Sequence, residues 1–134
     1  MGDVSATVTP FLMFQGNAEE AMRLYVSLFP DGKIHQIVRR NPTGAGSAGS
    51  IARASFSIGG QSILCSDSDV QHEFTFTPSS SLFVNFDGED ELRRVLAALS
   101  AGGSVLMELD NYGFSRKFAW INDGFGVSWQ LNLP

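Results

Sequence analysis

The chain has 134 residues, of which 43% are hydrophobic and 17% charged, and a formal net charge of −5 at pH 7. These are the values of one ordinary globular domain, so they exclude a disordered chain. The acidic balance disfavours nucleic acid and anionic membranes as partners, because both are bound through clusters of lysine and arginine.

Hydropathy and cysteine usage narrow the class further. No apolar run approaches the ~20 residues that span a bilayer, and the first residues lack the charged and apolar regions of a signal peptide. We therefore expect a soluble, cytoplasmic protein. The one cysteine, Cys65, excludes an internal disulfide and a metal site built from several cysteines.

The first predicted elements are a strand over residues 9–14 and a helix over residues 17–29. Asn17 is the expected N-cap, because its side chain can accept from the N–H of Glu20 while that side chain reaches back. Pro30 and Gly32 end the helix. A strand over residues 33–40 follows, rich in β-branched side chains.

Residues 41–50 form the most loop-like segment, with three glycines and no large apolar side chain. This segment is either a flap over a site or a long hairpin loop. Residues 51–57 then alternate as a strand, Gly59 and Gly60 make a tight turn, and residues 61–67 return. The chain between 66 and 81 is polar and connects the first half of the chain to the second.

The second half repeats the pattern of the first. Adding 71 to a residue number places Glu20 on Glu91, Leu24 on Val95 and Leu28 on Leu99, so both segments have the apolar stripe of an amphipathic helix. The second helix is predicted over residues 88–101. Strands are predicted over residues 82–86, 104–109, 115–121 and 127–133.

The sequence therefore predicts an α+β fold of two tandem βαβββ modules in one domain. Module one covers about residues 8–67, the linker about 68–80 and module two about 81–134. Each helix is expected to cover the outer face of a mixed sheet.

Four motifs carry a resemblance to a known family: TPFLMF at residues 9–14, NAEEA at 17–21, residues 25–30, and NDGFGVSWQ at 122–130. They resemble the PhnB-like branch of the glyoxalase/bleomycin-resistance/extradiol-dioxygenase superfamily, the vicinal oxygen chelate fold. This branch is also named 3-demethylubiquinone-9 3-methyltransferase-like. The resemblance implies paired βαβββ modules whose sheets curl into an open barrel around a pocket, and assembly as a homodimer.

Metal-dependent members of the superfamily take four ligands from the strands of the two modules. The corresponding positions here are Pro10, Ser66, Ser81 and Gln130. This set lacks the imidazole and carboxylate groups that hold a first-row divalent metal, so neither a metal nor any other cofactor is predicted. His35 and His72 have no partners at ligand spacing and are interpreted as surface residues.

No catalytic residue can be assigned from the sequence. A doubly wound methyltransferase needs a glycine-rich loop before a helix, and neither helix has one. Cys65 is expected to face the helix-covered side of its strand without a histidine partner. The acidic residues at the start of each helix fit the helix dipole better than a catalytic pair.

The predicted pocket combines aromatic walls with hydroxyl and amide groups, which suits a small, partly apolar ligand. Alternation along the strands places Leu12 with Phe14, and Asn85 with Phe83, on its faces. The side chains predicted to line it are Phe14, Ser66, Ser81, Phe83, Trp120, Ser128 and Gln130.

Two functions stay open. One is a small-molecule-binding protein with a metal-free pocket. The other is a superfamily enzyme, a lyase, dioxygenase or methyltransferase-like protein, with an unusual ligand set. In either case 11 phenylalanines are hard to hide under two helices, which together with the resemblance favours a homodimer.

Overall fold

A computed structural model describes residues 5–40 and 49–134. The chain divides into two compact units, Met1–Gln71 and His72–Pro134, each described here by itself. In the described part of the chain, no helix is long and apolar enough to cross a membrane. The elements are β1 Phe11–Phe14, α1 Ala18–Leu28, β2 Lys33–Arg39, β3 Ile51–Ile58, β4 Gln61–Asp67, β5 Ser81–Asn85, α2 Glu89–Ser100, β6 Ser104–Asp110, β7 Lys117–Asn122 and β8 Ser128–Leu133.

Both units have the same topology. The first sheet has the strand order β1-β4-β3-β2 and the second β5-β8-β7-β6. In each sheet the first and last strands of the unit pair in parallel, and the other neighbours pair antiparallel. The predicted α+β fold of two βαβββ modules is thus confirmed. The predicted helices each extend one residue too far at both ends.

Each helix buries one apolar stripe against its own sheet. In α1 the stripe includes Met22 and Tyr25, both almost fully buried, and the Tyr25 ring lies 6.3 Å from that of Phe56 on β3. In α2 the stripe is Leu92, Val95 and Leu99, each with 0% exposure. Burying a side chain of this size contributes about 1.5–3 kcal/mol, so these stripes account for the position of the helices.

The start of α1 differs from the prediction. Asn17 occupies the N-cap position but its side chain caps no backbone N–H. Instead, the Asp67 carboxylate at the end of β4 accepts from the N–H of Gly16 at 3.0 Å and of Ala18 at 2.9 Å. A long-range cap has replaced the local one. The predicted flap or loop at 41–50 falls mostly on residues 41–48, which lie outside the described residues.

Gly32 and Gly103 follow the two helices at equivalent positions of the repeat. The same steric constraint requires glycine at both positions. A Cβ on Gly103 would lie 2.0 Å from the Asn122 carbonyl oxygen, and one on Gly32 would lie 1.9 Å from that of Val26. These distances leave no room for a side chain, because the neighbouring atoms are backbone and cannot rotate away.

We expect Gly103→Ala to lower the free energy of unfolding by about 2–3 kcal/mol, because the new methyl group forces the α2 exit away from β7. Gly88→Ala is the control, since a Cβ there meets nothing within 4 Å and its φ of −135° suits any residue. Urea unfolding followed by tryptophan fluorescence measures both. Equal losses in the two variants would contradict the steric explanation.

Candidate functional site

One face of the second sheet brings together five of the predicted pocket residues. The strand register places Ser81 opposite Ser128 and Phe83 opposite Gln130, and Trp120 opposite Gln130 on the other side. Since alternate residues of a strand point to the same face, these five side chains share one face of the sheet. Trp129 and Leu131, fully buried, belong to the opposite face.

Hydrogen bonds join three of these side chains. The Trp120 Nε1–H donates to Ser128 Oγ at 2.8 Å, and Ser128 Oγ lies 2.6 Å from Ser81 Oγ. Ser128 is 1% exposed, whereas Ser81 is partly exposed. The three groups form a short row of hydrogen bonds from the Trp120 indole through Ser128 to the partly exposed hydroxyl of Ser81.

Two asparagines on this face were missed by the sequence analysis. Asn132 is 7% exposed, and its Nδ2 donates to Asn85 Oδ1 at 2.8 Å. The Oδ1 atoms of Asn132 and Asn122 are buried without a hydrogen-bond partner. A buried unsatisfied acceptor costs about 1–3 kcal/mol, so each one asks for an explanation. Continuing the alternation from Gln130 and Trp120 would have found both.

An aromatic cluster borders Asn132. Phe118 is the neighbour of Asn132 in register. The centroid of its ring lies 5.0 Å from that of Phe114, 6.4 Å from that of Phe83 and 6.3 Å from that of Tyr112. Phe118 is buried, but Phe83 is 55% and Phe114 62% exposed. The face therefore presents ring surface beside buried amide groups.

In the first unit the structure separates two predicted pocket residues. Ser66 pairs in register with Met13, and Phe14 pairs with Asp67, so Phe14 and Ser66 lie on opposite faces of the first sheet. Placing Leu12 and Phe14 on the face of Ser66 was therefore wrong. Phe14 is 2% exposed and packs in the core of its unit, beside the start of α1.

The chemistry of the superfamily's metal positions does not fit a divalent metal. Ser66 offers only a hydroxyl, and the side chain of Pro10 has no atom that could bind a metal. The Ser81 hydroxyl is already bonded to Ser128. His35 bonds Ser57 at 2.8 Å, and His72 stacks on Phe74 at 4.6 Å. No cluster of three or more His, Cys, Asp or Glu residues occurs in residues 5–40 and 49–134.

Cys65 is a core residue. Its side chain is fully buried, and burial, with the nearby Asp67 carboxylate, raises the pKa of the thiol to about 11. A thiol with this pKa is protonated at neutral pH and is a poor nucleophile. Cys65 is therefore interpreted as a packing residue and not as a nucleophile.

A polar cavity of about 410 Å³ lies in the first unit. Two of its charged side chains have hydrogen-bond partners: Arg40 donates to the backbone carbonyl of Asp67. Glu19 accepts from Arg39 and Arg23, which are not among the residues that line the cavity. The bond from Arg39 first, and that from Arg23 second, lowers the pKa of Glu19 to about 2. The cavity is lined by Gln15, Gly16, Glu19, Arg40, Gly49, Ser50, Ile51, Asp67, Ser68 and Asp69.

Comparison with known families gives a match over nearly the whole chain. Residues 6–132 match the family model described as 3-demethylubiquinone-9 3-methyltransferase. A search of curated proteins gives no match.

Solved structures agree with the family match. A PhnB protein from Bacillus cereus, provisionally described as a 3-demethylubiquinone-9 3-methyltransferase, is 47% identical over 96% of this chain and 100% of its own, with a TM-score of 0.93. PA1353 from Pseudomonas aeruginosa is 28% identical over 96% and 98%, with a TM-score of 0.83. The fosfomycin resistance protein FosX from Listeria monocytogenes, complexed with Mn(II) and sulfate, is 13% identical over 98% and 94%, with a TM-score of 0.64, which shows the fold alone.

Proposed function

Since the chain belongs to the 3-demethylubiquinone-9 3-methyltransferase family, the PhnB-like branch of the vicinal oxygen chelate superfamily, we propose that it is a cytoplasmic, homodimeric protein that binds a small, partly apolar molecule without a metal. One observation carries this proposal. The ring of Trp120, the exposed ring of Phe83 and the hydroxyls of Ser81 and Ser128 lie on one face of the second sheet, where the alternate residues of β5, β7 and β8 are uncharged.

The composition of this face supports binding of a partly apolar molecule. Rings supply apolar contact area, and a small number of placed polar groups orient a ligand, which is the usual makeup of small-molecule sites. Ser66 belongs to the first unit, on the face it shares with Met13, and stays a separate prediction as a ligand contact. Phe14 is left out of this proposal because its ring is in the core.

Binding is favoured over the methyl transfer that the family description names. The residues before α1 and α2 each contain a single glycine, at 16 and 88, and no glycine-rich loop for a nucleotide-like cofactor. On the face itself, Ser128 bonds to an indole and a hydroxyl and not to a histidine base. These groups can orient a ligand but have no partner that would activate them for catalysis.

The two tryptophans provide an internal test of ligand binding. In two-dimensional ¹⁵N NMR spectra, titration with small ring-bearing fragments is expected to shift the indole N–H signal of Trp120. The signal of Trp129 should stay, because this side chain lies on the helix-covered face and donates to Asp123. Fragments that move both signals equally, or neither, would contradict a site on this face.

Metal independence is tested by elemental analysis and by repeating the NMR titration in the presence of EDTA. Elemental analysis after mild dialysis should find far less than one zinc, nickel or iron per chain, and EDTA should leave the fragment titration unchanged.

Phe83→Ala is expected to weaken fragment binding about tenfold, in line with loss of one large aromatic contact. Phe74→Ala, which removes another exposed ring, is the control.

The homodimer is a separate prediction. Three of the four edge strands carry exposed apolar side chains outside the proposed ligand site: Phe11 on β1, Val38 on β2, and Val105 and Leu106 on β6. Open sheet edges with apolar side chains favour association with another chain. Light scattering at micromolar concentration should give about twice the chain mass of 14.5 kDa. A mass of one chain would contradict the dimer.

A further inference from the structure

The open face of the first sheet carries positive charge and no carboxylate. Ala54 and Phe56 of β3 are buried beneath α1, so Arg53, Ser55 and Ser57 point to the opposite, open face. Across the four strands, the residues that the register places on this face include a lysine and a histidine but no aspartate or glutamate. The whole chain has 14 acidic and 9 basic residues, so this face departs from its composition. A surface with cations alone attracts anions.

Arg53 is the charged group on the inner strand of this face. It is exposed, and no hydrogen bond or ion pair reaches its guanidinium from the part of the chain that the structure describes. Every other described arginine contacts a carboxylate or a carbonyl oxygen, as Arg39 contacts Glu19 at 2.7 Å. A guanidinium has five N–H donors, and those of Arg53 are all available to a ligand.

Two hydroxyl groups lie beside Arg53. Ser55 is the next residue on the same face of β3, about 7 Å along the strand. Ala54 pairs with Cys65, and the same register one residue further places Ser66 of β4 opposite Arg53, about 5 Å away. Both serines are partly exposed, and their hydroxyls have no hydrogen-bond partner within residues 5–40 and 49–134. Neither oxygen is a buried unsatisfied atom, so both retain accessible surface and can donate to a ligand.

Apolar side chains complete the surroundings of the arginine. Leu64 pairs with Ser55, and Met13 of β1 pairs with Ser66, so both apolar residues lie on the face of Arg53. Both are partly exposed. Neighbouring strands are about 4.8 Å apart and alternate residues of one strand about 7 Å, so Leu64 and Met13 lie within about 10 Å of Arg53. A ring with one charged substituent can contact all of these groups, because the long arginine side chain extends across part of this distance.

We propose that this face of the first sheet binds a small organic anion, a carboxylate on an apolar ring, through Arg53. The planar guanidinium binds a carboxylate with two parallel N–H bonds, and charge-assisted bonds of this kind are about twice as strong as neutral ones. Ser55 and Ser66 donate to the remaining lone pairs, and the ring lies against Leu64 and Met13. This site goes beyond the proposed function, whose aromatic face is on the second sheet, so each can fail without the other.

Three probes separate the charge from the ring. Benzoate has both, benzamide has the ring without the charge, and acetate has the charge without the ring. Each is titrated into the full chain at neutral pH and constant ionic strength, because salt screens an exposed charge. The backbone amide signals of Ser55 and Ser66 are followed by ¹⁵N NMR. Benzoate should bind about tenfold more tightly than benzamide and about fivefold more tightly than acetate.

Variants test the role of the guanidinium. Arg53→Gln removes the charge and the planar fork of donors, and it should weaken benzoate binding about tenfold, to the level of benzamide. Arg53→Lys keeps the charge without the fork and should weaken binding about threefold. The control is Arg94→Gln, which makes the same change in net charge on α2, where the Arg94 side chain is 53% exposed. The control should keep the wild-type preference for benzoate.

Each outcome supports or overturns the proposal. A preference for benzoate that Arg53→Gln abolishes and Arg94→Gln retains supports it. Equal binding of benzamide and benzoate to the wild-type protein, or a preference that survives in Arg53→Gln, overturns it, and equal binding of acetate and benzoate overturns the ring. If no probe shifts the two amide signals and Arg53→Gln halves the mass found by light scattering, a second copy of the chain occupies this face instead. The wild-type titrations alone decide the ligand class if the Arg53 variants do not fold.

Discussion

Replacing Asp123 by alanine is expected to lower the free energy of unfolding of the second unit by about 4 kcal/mol. Asp123 is 3% exposed at the turn between β7 and β8. Its Oδ1 accepts from the N–H of Phe125 at 2.8 Å and of Val127 at 3.0 Å, and its Oδ2 accepts from Trp129 Nε1 at 2.9 Å. Alanine removes the acceptor of all three bonds, two of which are buried.

Asp123→Asn tests whether shape or acceptor capacity matters. The amide has one acceptor oxygen and one NH₂ group, so in either orientation an N–H of the protein faces another donor. We expect a loss close to that of alanine. Adding Trp129→Phe removes the indole donor and should recover about 1 kcal/mol of that loss in a double-mutant cycle.

Urea unfolding followed by circular dichroism measures the stability of Asp123→Ala and of the four proteins of this cycle. The control is Asp87→Asn, which changes an exposed carboxylate at the start of the α2 segment. The control should change stability by less than about 0.5 kcal/mol. If Asp123→Asn were as stable as the wild type, the role of the carboxylate would be refuted.

Asp67→Ala should produce a loss of similar size, about 4 kcal/mol, in the first unit. Asp67 is 3% exposed, and its carboxylate accepts from three backbone N–H groups, those of Gly16, Ala18 and Ile51, at 2.9–3.0 Å. It ties together the end of β4, the start of α1 and the start of β3. Without it the first turn of α1 has no side-chain cap.

Amide hydrogen exchange gives a readout that a general loss of stability would not. In Asp67→Asn, exchange of Gly16, Ala18 and Ile51 should accelerate more than exchange of Ile63 in the middle of β4. The control is Asp69→Asn, because Asp69 is 43% exposed and its contact with Arg40 is 3.8 Å. Uniform acceleration at all four amides would contradict a local cap.

The sequence by itself determined the modules. Amphipathic stripes recur at residues 20–28 and 91–99, and the spacing of turns repeats, because helical and strand periodicities are local properties of the chain. The polar face of the second sheet was also predictable through Ser128 and Gln130, since β8 alternates clearly between polar and apolar residues.

The face of Phe14 could not be determined in this way. Strand β1 has four residues, FLMF, all apolar, so alternation does not distinguish its two sides. Only the parallel register with β4, which places Phe14 opposite Asp67, assigns the ring to the core. The sequence places Asp67 at the end of the strand over residues 61–67, within the polar connection that runs from 66 to 81, and predicts no buried role for it.

The tertiary structure alone decided the role of the Asp67 carboxylate. Asp67 meets Gly16 and Ala18 across 51 and 49 residues, and no local pattern specifies a contact at that distance. Asn17 lost its predicted capping role for the same reason, since the helix start was already satisfied from another strand. Buried hydrogen-bond partners are determined by which groups folding brings within about 3 Å. A distant carboxylate that reaches the start of the helix can therefore replace a cap from a neighbour in sequence.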